Sequence, residues 1–344
     1  MGSSVSELRP LEWQIEPGAP ATTEVAGCAD LADALRWLAA YRPVLRAALD
    51  EHGAVHLRGL PIRDVADFAR VRDTVMPERT PYREKATPRS DFGDGVFSST
   101  DLPPAQPIRM HNENSYTLTF PGLLMFGCLV APPEGGATPV ADCRAVLRAL
   151  PPATVAKMRA TGWLLHRSYS EHISTDWRAA FGATSRAEVE DYCERNLISC
   201  RWQREGNLRT RQLRPGILTH PVTGDEVWFN HLAFWNEWAL DEELRETLVD
   251  EFGRDDLPFN TTFGDGDPLT AAELAEIQAA YDAATVRRPW RAGDLLLVDN
   301  ILSTHGRDPF RGDRKIVVAM GQPVDMLDCH PSVSPAADAV GSGR

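Results

Sequence analysis

His111 and Glu113 stand two residues apart in Arg109-Met110-His111-Asn112-Glu113-Asn114-Ser115-Tyr116. In an extended strand, side chains at i and i+2 share a face, so an imidazole and a carboxylate converge there, whereas on a helix they diverge. His305, in Asn300-Ile301-Leu302-Ser303-Thr304-His305-Gly306-Arg307, follows an apolar strand and its turn and can supply a second imidazole. Two histidines and one carboxylate would leave one face of an octahedral cation open to other ligands. Iron(II) suits such a set, and zinc accepts the same donors in a tetrahedral site, so spacing leaves both open.

The elements that must position these residues read as mostly β with inserted helices. Gly53–Leu60 is a short apolar strand. Gly122–Val130, bounded by Pro121 and Pro132, is an unbroken apolar run, as expected of a strand buried on both faces. Gly135-Gly136 marks a turn feeding a strand at Val140. Leu208–Leu218 and Glu226–His231 flank the turn at Pro221–Asp225 and suggest a hairpin-like pair. Strands follow at 293–300 and at Ile316–Met320.

Helices are expected over residues 30–50, divided in two at Pro43, and over Val65–Val75. Others are expected over 143–162, split at Pro151-Pro152, then over Ala187–Leu197, Asp241–Phe252 and Leu269–Ala284. The last opens on Thr270-Ala271-Ala272-Glu273, a capping box. The Pro-, Gly-, Ser- and Asp-rich stretch from Thr80 to Gln106 is irregular chain suited to covering a site. Regular βα alternation and a Gly-rich phosphate loop are absent, which argues against a doubly wound parallel sheet. The expected organisation is one catalytic domain over residues 1–329, with helical insertions between about 143 and 290, and a loose tail over 330–344.

Composition narrows the partners. The chain has 344 residues, 43% hydrophobic and 25% charged, with a formal net charge of -13. Such a balance fits a soluble globular protein and argues against nucleic acid or an anionic membrane as partner. Six scattered cysteines without a Cys-x-x-Cys pair, and no signal-like or membrane-spanning run, point to the cytoplasm.

Five stretches taken together resemble the iron(II)- and 2-oxoglutarate-dependent dioxygenases of the taurine dioxygenase type, and among them the SyrP-like hydroxylases of natural-product pathways. They are His111–Tyr116, Gly135–Asp142 (Gly-Gly-Ala-Thr-Pro-Val-Ala-Asp), His220–Gly224, Val227–His231 and His305–Phe310. With the Gly53–Gly59 strand, the resemblance covers most of residues 50–321. It implies a double-stranded β-helix, or jelly roll, with iron(II) held by His111, Glu113 and His305. It implies that Thr138 and Arg314 hold the far carboxylate of 2-oxoglutarate, Arg314 being preferred over Lys315 because a guanidinium grips a carboxylate bidentately. The implied reaction consumes O2 and 2-oxoglutarate, forms succinate and CO2, and hydroxylates an aliphatic carbon. Desaturation, cyclisation and epoxidation are equally compatible outcomes.

Glu113 stands where the wider family has Asp. The related halogenases carry a small residue there, so Glu113 speaks against halogenation. The expected substrate is a small, amino-acid-like molecule, free or tethered to a carrier protein, in specialised metabolism. Asn230, His231 and Phe234 are candidates to meet it. Competing readings are a zinc hydrolase using the same three ligands and a non-catalytic β-barrel binding module. His56 and His220 read as structural, whereas Arg307 and Arg311 are assigned either to the surface or to the cosubstrate pocket.

Overall fold

Strand Thr119–Val130 lies between two layers, and its alternation shows how. Leu123 and Met125 face a cluster built with helices Leu31–His52 and Val65–Val75, while Leu124, Phe126 and Cys128 face the opposite way. That is the two-sided burial expected of an unbroken apolar run. The computed structural model describes residues 9–80, 84, 86, 89–170 and 175–338.

Thr119–Val130 sits inside a six-stranded sheet, paired antiparallel with Leu295–Asp299 on one side and Lys315–Asp325 on the other. Ala54–Arg58, Ala21–Glu24 and Val96–Ser98 complete that sheet. A four-stranded sheet contains Thr285–Val286, Val140–Asp142, Ser303–Arg307 and Ile108–His111. Val140 joins the inward cluster of the larger sheet, and the Phe126 ring lies 5.2 Å from that of His305. The two sheets therefore close on each other as a jelly roll, with the site between them.

Residues 31–52 form one helix rather than two. Pro43 removes one backbone hydrogen bond at a cost of about 3 kcal/mol. It lies on the exposed side, however, and Ala34, Leu38, Leu45, Ala48 and Leu49 make a single buried stripe along both halves. Tertiary burial of the stripe outweighs the local defect.

Leu208–Arg214 does not enter the hairpin-like pair. It joins Trp163–Tyr169, Phe259–Phe263 and Ser199–Trp202 in a separate sheet, and the hairpin is confined to Ile217–Thr219 with Glu226–Trp228. The helices expected at 143–162 form as Cys143–Ala149 and Pro152–Thr161. The capping box at Thr270 and Glu273 is formed in both directions. The segment from 331 to 338 is not loose: Ala336 bridges Leu213, and its carbonyl accepts from the buried Arg214. The remainder of the expected tail, 339–344, lies outside the described residues.

Candidate active site

Strands Ile108–His111 and Ser303–Arg307 pair antiparallel with His111 directly opposite His305. The ladder thus sets the two imidazoles side by side, ring centres 4.4 Å apart. The register shifts between His305 and Arg307, at Gly306. A Cβ there would fall 2.6 Å from the Ile108 carbonyl oxygen, so only glycine permits the approach. Gly306→Ala is expected to lower stability by about 1–3 kcal/mol by pushing the two strands apart. Urea denaturation of the variant against the unmodified protein measures it.

Glu113 reaches the same point by a different route from the one its spacing suggests. The strand ends at His111, and Glu113 begins a turn in which Asn114 adopts φ 53°. The turn is fixed by Asn300, whose Oδ1 accepts from the Glu113 amide at 2.7 Å while its Nδ2 donates to the Glu113 carbonyl at 2.9 Å and to Pro121 at 2.8 Å. Asn112 donates to the Asn300 carbonyl at 2.7 Å. Asp299 caps the turn beyond through the amides of Ile301 and Leu302.

The outcome is a compact set of donors. Glu113 Oε2 lies 3.7 Å from His111 Nε2 and 3.5 Å from His305 Nε2, and all three ligand atoms fall within 4.8 Å of one another. His111 Nδ1 lies 2.9 Å from the Arg109 carbonyl, which can only accept, so the proton sits on Nδ1 and the Nε2 lone pair faces Glu113. Burial, then the neighbouring His111, depresses His305 to a pKa of about 4 despite Glu113, which keeps it neutral. Burial alone would raise the Glu113 carboxyl, but the charge of Arg89 foremost, with the two imidazoles beside it, holds it well below the usual range. Two imidazoles and one carboxylate are a donor set that a divalent metal accepts.

Next to these donors lies a small cavity lined by Arg89, Leu102, Ile108, Phe126, Thr138 and Phe234, among others. At one end Arg314 donates to the Gly136 carbonyl at 2.9 Å, Ser99 Oγ at 3.0 Å and Thr138 Oγ1 at 3.4 Å. Trp290 Nε1 also donates to Thr138, at 3.2 Å. Gly136, at φ 66°, allows this packing, since a Cβ would lie 2.9 Å from that of Phe310. Lys315 is exposed and lies over Phe92, so the guanidinium of Arg314 is the cation facing Thr138.

The other candidates separate. Phe234 lines the cavity, its ring 4.7 Å from that of His111. Asn230 does not face it: its side chain is committed to the Gly216 carbonyl and the Leu232 amide. His231 sits behind His111, bonded to Ser115 Oγ at 2.6 Å and stacked on Trp235, and burial drives its pKa well down. His56 is buried 3.2 Å from Asp294, and His220 holds a turn and Asp299; both are structural. Arg307 points into the wall, where it donates to the carbonyls of Leu102, Pro103 and Gln106, while Arg311 is exposed beside Glu134. Sequence reasoning missed Arg89, Ser99, Trp290 and Asn300, which lie in irregular segments or at strand ends and carry no periodic signal.

The model of the "Taurine catabolism dioxygenase TauD, TfdA family" matches residues 14–320. The chain belongs to this family. It is 36% identical over 276 residues to the dapdiamide synthesis protein DdaC of Enterobacter agglomerans, covering 80% of this chain and 84% of that one. It is 29% identical over 287 residues to a clavaminate synthase-like protein of Arabidopsis thaliana, covering 80% and 83%. Among solved structures, PvcB, an Fe, alpha-ketoglutarate dependent oxygenase from an isonitrile synthetic pathway, superposes with a TM-score of 0.53 at 16% identity, covering 94% of this chain and 95% of that one. AAD-2, in complex with Mn(II) and N-oxalylglycine, superposes with a TM-score of 0.51 at 15% identity, covering 94% of this chain and 100% of that one. These likenesses establish the double-stranded β-helix. Family membership makes the protein an iron(II)- and 2-oxoglutarate-dependent dioxygenase that uses O2, and sets aside the zinc-hydrolase and binding-module readings. Among the described residues, no helix is long and apolar enough to cross a membrane.

Proposed function

We propose that this dioxygenase hydroxylates an aliphatic carbon of a small amino-acid-like substrate, free or carried on a carrier protein, in cytoplasmic specialised metabolism. The reading rests on one observation above others: a His111, Glu113 and His305 donor set opens onto the same cavity as the Thr138 and Arg314 pair. The likeness to a dapdiamide synthesis protein supports specialised metabolism as the setting.

In this reading His111, Glu113 and His305 hold the iron, while Arg314 and Thr138 receive the far carboxylate of 2-oxoglutarate. The bound iron, with 2-oxoglutarate and O2, supplies the oxidising power, releasing succinate and CO2. Burial, then the nearby Arg307, brings Arg314 down to a pKa of about 10, which leaves it charged at neutral pH. Its carbonyl and hydroxyl partners fix the plane of the fork before the cosubstrate arrives. Ile108, Phe126 and Phe234 give the cavity apolar walls that exclude water around the reacting carbon. Glu113 fills the position that a halogenase would leave open to halide, which favours hydroxyl transfer.

The test is succinate release by anaerobically iron-loaded protein on addition of O2, screened over free amino acids and carrier-bound aminoacyl thioesters. Hydroxylated product should appear in step with succinate; chlorinated product, or turnover without 2-oxoglutarate, would overturn the reading. Arg314→Gln should raise the 2-oxoglutarate concentration for half-maximal rate by roughly a hundredfold, the usual scale for removing one partner of a buried charge pair. Steady-state kinetics at varied 2-oxoglutarate measure it.

A further inference from the structure

Thr138 is held from two sides by groups that can only donate. Trp290 Nε1 lies 3.2 Å from its Oγ1 and Arg314 Nη2 lies 3.4 Å from it, so the indole is the closer of the two. A threonine hydroxyl has one hydrogen to give and two lone pairs to fill, whereas an indole N–H and a guanidinium have no lone pair to offer in return. Both lone pairs of Oγ1 are therefore taken. The hydroxyl hydrogen is left to the remaining direction, and among the described residues none accepts it. Thr138 lines the cavity beside the metal donors, while Trp290 stands behind it.

The indole is fixed in its turn. Trp290 is 7% exposed and packs in the cluster with Phe126, Val140 and Leu296. The His56 ring meets it edge to face, centres 5.5 Å apart and planes at 75°, and His56 Nε2 lies 3.2 Å from Oδ2 of the fully buried Asp294. On either side in the chain, Arg58 donates to the Pro289 carbonyl at 3.2 Å and the Arg291 amide donates to Asp294 at 2.9 Å. A group confined in this way is in place before any ligand arrives and loses little freedom on binding. Arg314 differs, because it also serves the Gly136 carbonyl and Ser99 Oγ, and a carboxylate arriving at this end competes for it. The indole nitrogen has one hydrogen and gives it to Thr138.

We propose that Trp290 is a positioning residue for cosubstrate recognition: its indole N–H turns the Thr138 hydroxyl into a donor toward the far carboxylate of 2-oxoglutarate. The inference rests on the iron and 2-oxoglutarate reading and adds to it a residue that touches neither. Thr138 and Arg314 then present hydrogens only, which suits a group that accepts at two oxygens and carries no hydrogen of its own. A methyl group in that place would leave the hydroxyl hydrogen buried without an acceptor, which is costly. Trp290 thereby raises the discrimination between 2-oxoglutarate and 2-oxo acids that lack the second carboxylate.

The experiment uses the full chain, loaded anaerobically with iron(II), and follows the visible absorption band that forms when a 2-oxo acid binds. It is titrated with 2-oxoglutarate and with 2-oxovalerate, the same chain with a methyl in place of the far carboxylate. Trp290→Phe keeps an aromatic ring and removes the N–H. It should weaken 2-oxoglutarate by about tenfold, the lower end for a hydrogen bond to a charged group, and leave 2-oxovalerate within about twofold. Trp290→His retains a ring N–H and should recover part of the preference. Thr138→Val removes the hydroxyl at nearly constant shape, and in that background Trp290→Phe should change the 2-oxoglutarate affinity by less than about twofold, since the two residues act as one unit. Thermal melting identifies any loss of fold; Trp290→Met, a flexible filler that also lacks the N–H, repeats the comparison if Trp290→Phe does not fold. The inference is overturned if the loss of the N–H leaves 2-oxoglutarate affinity unchanged, weakens both acids alike as a merely structural residue would, or adds in full to Thr138→Val. In those cases the unmodified protein still prefers 2-oxoglutarate. A protein that forms no band with 2-oxoglutarate, or binds both acids equally, would instead strike the underlying reading, and this inference with it.

Discussion

Glu113→Ala is expected to abolish turnover of 2-oxoglutarate and to weaken iron(II) binding by more than about a hundredfold. Even outer partners of a metal ligand commonly cost 10–100-fold in affinity when removed, and Glu113 is placed among the ligand atoms themselves. The same substitution removes the carboxylate that both Arg89 bonds reach, leaving a guanidinium that is 8% exposed without it. Breaking a buried pair from one side costs about 3 kcal/mol or more, so the metal-free variant should also be less stable. Glu113→Gln keeps the shape and loses the charge, and should bind metal nearly as poorly while packing better. Glu113→Asp keeps the charge on a shorter arm and should retain part of both properties. Anaerobic titration with iron(II), followed by succinate assay, orders the three.

The pH dependence of metal-free stability checks the electrostatic part separately. The folded Glu113 carboxyl ionises well below its usual range. Its charge therefore contributes stability at pH values above the unfolded carboxyl, about 4.3, and the contribution disappears as pH falls through the folded value. The unmodified protein should exceed Glu113→Gln in stability at pH 7, and the difference should shrink in acid. A difference that grew on acidification would show that Arg89 does not hold the carboxylate ionised.

Much of this architecture could be read in the chain because burial writes periodic patterns. The run Gly122–Val130 announced a strand covered on both faces, and its alternating Leu123/Met125 and Leu124/Phe126 sets do divide between two clusters. The capping box at Thr270 was legible for the same local reason. Pro43 misled because a local rule met a longer stripe: the helix is held by what lies on either side of the proline.

The candidate site was legible in the residue types it gathers and less so in its geometry. His111 and Glu113 do converge, but through a strand end and a turn rather than one strand face. Their spacing records the outcome and not the route, because the turn is held by Asn300, 187 residues away along the chain. Asn230 illustrates the opposite error. A polar residue in an aromatic stretch suggests a pocket, yet backbone groups of Gly216 and Leu232 occupy its side chain. Arg89 could not be found by pattern, since irregular chain has no period and its partner is named only by the fold.

Asn300→Ala should therefore produce the second large effect, although Asn300 touches neither the cavity lining nor the ligand atoms. Its side chain makes three buried hydrogen bonds, two to the backbone of Glu113 and one to Pro121. Alanine leaves the Glu113 amide and two carbonyls without that partner, and each buried group left unsatisfied costs about 1–3 kcal/mol. The total expected loss is about 3–5 kcal/mol, reduced by whatever relaxation the turn permits. Because the bonds fix the turn that aims Glu113, iron(II) affinity should fall by about 10–100-fold, as for other outer partners of metal ligands. Asn300→Asp is the informative companion: it retains an acceptor for the Glu113 amide but presents oxygen to two carbonyls, so it should recover little. Chemical denaturation of the metal-free variants gives the first quantity and anaerobic titration the second. A loss of stability with unchanged metal affinity would show that Glu113 finds its position without Asn300. Parallel losses in both would place the aim of the carboxylate in this one asparagine, at the turn where the strand Leu295–Asp299 ends and the His305 strand begins.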